Sequence, residues 1–85
     1  MEQILIMCRS ITQAQRAKRL LEQNGISAAL IRAPGSASGE GCAYALKLRA
    51  HQMEAAVRLL RPEKLCSGRV LRLLPKGDTE EVLRP

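Results

Sequence analysis

The chain has 85 residues and a net charge of +6; 46% of its residues are apolar, yet Phe and Trp are absent and Tyr44 is the only aromatic. A chain this short forms one domain that buries roughly 60–65% of its unfolded surface, so its core is simple and aliphatic. The charge favours anionic partners, but the stacking platforms of nucleic-acid binders need aromatic side chains, which argues against nucleic acid.

Ile4 to Cys8 is a continuous apolar run, broken by Arg9-Ser10, which predicts a strand central in a sheet. Thr12 followed by Gln15 gives a capping-box pattern, and Ala14, Ala17, Leu20 and Leu21 mark one side of a helix that stops at Asn24-Gly25. Ile26 to Ala33 reads as the second strand, with Ile26, Ala28 and Leu30 on one face. The stretch Pro34 to Cys42 then interrupts the apolar pattern with small residues. In the third strand, Ala43 to Arg49, the larger apolar groups Tyr44, Leu46 and Leu48 share a face. Met53, Ala56, Val57 and Leu60 recur at helical spacing between about His51 and Arg61, and Pro62 ends that helix. Arg69 to Leu74 is the fourth strand, closed by Pro75. This reading gives a domain over residues 1–75 and a polar C-terminal tail over 76–85.

Strand, helix, strand, strand, helix, strand predicts an α+β, ferredoxin-like βαββαβ two-layer sandwich. Its four-stranded antiparallel sheet would carry both helices on one face, with the first and third strands in the middle.

The three cysteines, Cys8, Cys42 and Cys66, are odd in number, widely spaced and without a C-x-x-C pair, which fits neither a disulfide framework nor a zinc site. Free thiols suit a reducing cytoplasm. The first residues carry no basic leader, and their apolar run is too short for a membrane span, so neither targeting nor membrane contact is expected.

The expected topology brings all three thiols to one edge of the sheet, beside the first helix's start and its unpaired N–H groups. Arg9, Arg32, Lys64 and Arg69 lie nearby in sequence. A thiol is nucleophilic as thiolate, which helix N-termini and cations favour. Cys42 is the best placed: Gly39 and Gly41 allow close backbone approach, and Ser36 and Ser38 offer turn hydrogen bonds. Cys8, Arg9 and Thr12 would support a sulfur-bound anion from the helix start. Cys8 also reads as a core residue or a resolving thiol, and Cys66 as a half-exposed linker residue. His51, the only histidine, falls at the opposite edge, so no metal is expected, and no cofactor motif is present.

From residues 3 to about 74 the chain resembles the selenium/sulfur carrier protein-like family of small bacterial domains. The likeness lies in the apolar first strand, the helix closing Leu20-Leu21-Glu22-Gln23-Asn24-Gly25-Ile26, and the Pro34 loop with Ser36 and Ser38. It continues through Cys42 and Ala45-Leu46-Lys47-Leu48. Gly41 precedes the thiol here, and Ala43 follows it where the family usually has Gly. The resemblance implies that Cys42 carries sulfur or selenium as a persulfide or selenosulfide. Its partners would then be donor and acceptor proteins, and the chain would be a carrier rather than a turnover enzyme.

The alternative is a non-catalytic ferredoxin-like module that binds a small anion or a protein, with Cys42 incidental. The apolar strands also suit a homodimer formed through the open sheet face or an edge strand.

Overall fold

The computed structural model describes residues 2–33, 43–66, 69–76 and 78–83. Its elements are β1 (Gln3–Cys8), α1 (Ile11–Gln23), β2 (Ala29–Arg32), β3 (Tyr44–Arg49), a 3-10 turn (Ala50–Gln52), α2 (Met53–Leu60), β4 (Val70–Leu73) and β5 (Thr79–Leu83). The fold is α+β: one five-stranded sheet in the order β2-β3-β1-β4-β5, every neighbouring pair antiparallel, with two helices.

β1 takes the middle of the sheet because its side chains are apolar on both faces. Ile4, Ile6 and Cys8 are buried with Leu46, Leu48 and Val70 against Ala14, Ala17 and Leu21 of α1 and Ala56 and Leu60 of α2. Leu5 and Met7 are buried on the other face with Ala45 and Leu71, bordered by Ile31, Ala33 and Leu73. Both helices thus contribute to the cluster on one face. The period-two alternation of β3 sorts its residues as the sequence predicts: Leu46 and Leu48 join the helix side, and Ala45 the other.

Two expectations need correction. The sheet has five strands rather than four, because Thr79–Leu83, within the stretch read as a polar tail, pairs with β4. The Leu74 N–H donates to the Asp78 carbonyl at 2.8 Å and closes the connection. Cross-strand charge holds the pair: Arg69 Nε lies 2.7 Å from Glu81 Oε1, and Arg72 Nη1 3.2 Å from Glu80 Oε1. A strand held by opposite charges on an edge has little apolar signature for sequence reading to find. The turn residues Pro75 and Asp78, followed by Thr79-Glu80-Glu81 opposite two arginines, were the available signal.

The second correction concerns the start of α1. The N-cap is Ser10, whose hydroxyl oxygen accepts from the Gln13 N–H at 3.2 Å, and the Ala14 N–H donates to the Ser10 carbonyl at 3.0 Å. Thr12 is an exposed residue of the first turn. Ser10-Ile11-Thr12-Gln13 carries the same pattern two residues earlier. At the other end the Ile26 N–H reaches the Leu21 carbonyl (2.9 Å) and the Gly25 N–H the Glu22 carbonyl (3.1 Å), a Schellman closure in which Gly25 adopts φ +80°.

Candidate functional site

Cys8 ends β1, fully buried, and stands opposite Tyr44, the first residue of β3. On its other side the β4 strand arrives: the Met7 N–H donates to the Arg69 carbonyl at 3.0 Å. β2 leaves at this same end of the sheet, where Arg32 pairs with Tyr44 and the Ala33 N–H donates to the Ala43 carbonyl at 3.0 Å. Ser10, two residues beyond Cys8, caps α1, which has no acidic residue in its first turn to offset its positive end. One end of the sheet thus gathers the end of β1, the start of α1 and both anchors of the 34–42 connection.

Cys66, distant in sequence, joins this end. It is half-buried and packs against the cluster that contains Cys8. The two thiols share a hydrogen bond, and that bond holds Cys66 below the ordinary thiol range, while its partial burial pulls the other way. The Cys8 thiol donates to the Ile6 carbonyl, 3.7 Å from its sulfur. Both cysteines are free thiols.

The supporting residues are distributed less tightly than the sequence suggests. Arg9 is exposed in the short link between β1 and α1. Arg32 is exposed at the end of β2, in line with Tyr44 and Cys8 in the sheet register, which places it two strands or about 10 Å from Cys8. Lys64 is exposed at positive φ (52°) in the turn after α2. Arg69 is engaged by Glu81 across the β4–β5 pair. Ser36, Ser38, Gly39, Gly41 and Cys42 lie outside the described residues. His51 sits in the 3-10 turn at the opposite end of the sheet, where the Ala50 N–H donates to the Glu2 carbonyl at 3.1 Å. Among the described residues no group of three or more His, Cys, Asp or Glu could hold a metal ion, and no helix is long and apolar enough to cross a membrane.

The thiol pair is the part of this site that reading along the chain underrates. Cys66 looks like a linker residue until β4 is placed antiparallel to β1, which returns the segment before β4 to the place where β1 ends. That placement was available from topology, and the hydrogen bond between the thiols was not.

The chain matches the model of the family described as "Putative Se/S carrier protein-like" over residues 3–67. It belongs to that family. No curated protein and no solved structure matches it. The family match runs from β1 to just beyond Cys66 and includes all three cysteines, whereas β4 and β5 follow it.

Proposed function

We propose that this chain is a sulfur or selenium carrier that accepts the chalcogen from a donor protein as a persulfide or selenosulfide on Cys42 and passes it to an acceptor protein. Membership of the Se/S carrier protein-like family carries this reading, since the match spans Cys42. The geometry supports it: Ala33 and Ala43, which bracket the 34–42 connection, are hydrogen-bonded to each other at the sheet end where α1 presents its N-terminus. Helix N–H groups and the positive end of a helix favour an anionic sulfur held against them. We read β1 to β4 as a ferredoxin-like βαββαβ unit, supported by the order β2-β3-β1-β4, with β5 added at its edge. The free thiols suit a reducing compartment such as the cytoplasm.

The test is incubation with a cysteine desulfurase and cysteine, followed by differential alkylation and peptide mass spectrometry. Added sulfur should appear on the Cys42 peptide and disappear in Cys42→Ser. No added sulfur, in the unmodified protein and in Cys66→Ser alike, or equal labelling of the three thiols, overturns the carrier reading and leaves a binding module with Cys42 incidental.

A further inference from the structure

We propose that Cys66 and Cys8 form a second, internal thiol site. Cys66 takes sulfane sulfur or selenium from a persulfide or selenosulfide, and Cys8 then discharges it as sulfide or selenide, leaving a Cys8–Cys66 disulfide. Three observations carry this. The two thiols come from separate segments, the end of β1 and the link before β4, and the fold packs Cys66 against the cluster that contains Cys8. They differ in access, since Cys8 is fully buried and Cys66 is half-buried. They share the sheet end where Ala33 and Ala43, the two residues that flank the 34–42 connection, are hydrogen-bonded to each other.

The division of labour follows from these positions. The outward thiol, Cys66, receives the hydrogen bond that favours its thiolate and attacks the terminal sulfur of a persulfide R–S–SH. The R–S bond to that sulfur breaks, R–S⁻ departs, and a persulfide forms on Cys66. Cys8 then attacks the Cys66 Sγ. The bond from that Sγ to the outer sulfur breaks, a bond between the two Sγ atoms forms, and the hydrosulfide leaves with the Cys8 proton as hydrogen sulfide. Electrons balance: the transferred sulfur gains two, and each cysteine sulfur loses one. With a selenosulfide the same steps release selenide. The inner position of Cys8 suits the resolving role, because it needs to meet only Cys66 and no external partner.

This inference rests on the reading that the chain handles sulfane sulfur, but it is tested without Cys42. The Cys42→Ser protein, fully reduced and then treated with glutathione persulfide, should release about one sulfide per chain. Peptide mapping should then show a Cys8–Cys66 cross-link. Cys66→Ser in the same background should lower the sulfide to the level without protein. Cys8→Ala should retain a persulfide on Cys66 and release none. Because Cys8 is fully buried, circular dichroism checks the fold of Cys8→Ala, and the half-buried Cys66→Ser decides the case alone if Cys8→Ala does not fold. Sulfide release that survives Cys66→Ser, or a stable Cys66 persulfide with Cys8 intact and no cross-link, overturns the proposal. Failure of desulfurase labelling on Cys42 in Cys66→Ser, where the pair cannot drain it, would instead count against the carrier reading and leave this result standing.

Discussion

The hydrogen bond with Cys8 holds the Cys66 thiol below the ordinary thiol range, and partial burial pulls the other way. Alkylation follows the thiolate fraction, so the rate at Cys66 should level off at a lower pH than that of an unperturbed thiol. Cys8→Ser keeps a donor at that position and should hold the inflection low. Cys8→Ala removes the donor and leaves the burial, so the inflection should rise. An unchanged inflection in Cys8→Ala, measured by iodoacetamide rates and peptide mass spectrometry, would rule out the hydrogen bond as the cause. The sign for stability follows. With the folded pKa below the unfolded one, the unfolded chain binds more protons between the two values, so stability rises with pH through that window and is lost as pH falls through the folded pKa.

At the scale of the element, α1 is defined by its two ends. Ser10 satisfies an N–H that would otherwise have no partner inside the helix, and Ser10→Ala should cost about 1 kcal/mol. Gly25 closes the C-terminus at φ +80°, where a β-carbon would meet no neighbour within 4 Å, so the cost of Gly25→Ala is conformational. That cost should also be about 1 kcal/mol. The two sites bound a helix of 13 residues, about 20 Å long, and should add in the double variant. Urea midpoints at unchanged slope check all three values. The closing Asn24-Gly25 signal was legible because it is local backbone chemistry. The N-cap was not unique, because Ser10-x-x-Gln13 and Thr12-x-x-Gln15 both fit the capping-box spacing and neither changes the buried face set by Ala14, Ala17 and Leu21. The earlier start prevails because it leaves only Arg9 and Ser10 between β1 and α1.

For the whole molecule, β5 decides whether β4 is an interior strand or an edge. A chain ending at Asp78 loses the β4–β5 ladder and takes Glu81 and Glu80 away from Arg69 and Arg72. It should unfold at lower urea and with a shallower slope, because less surface is buried on folding. An unchanged midpoint and slope would mean that β5 contributes no stability. The sequence by itself determined the order of the first six elements, the faces of β3 and α1, and the central place of β1. These follow from alternation, helical period and a continuous apolar run, which residues set through their own neighbours in the chain. Only the tertiary structure decided that Thr79–Leu83 is a strand and that Cys66 packs against the cluster holding Cys8. A polar edge strand is defined by the partner whose N–H and C=O groups it meets, and a thiol pair by the register of two segments far apart in sequence. Neither is written in the local pattern of the residues concerned.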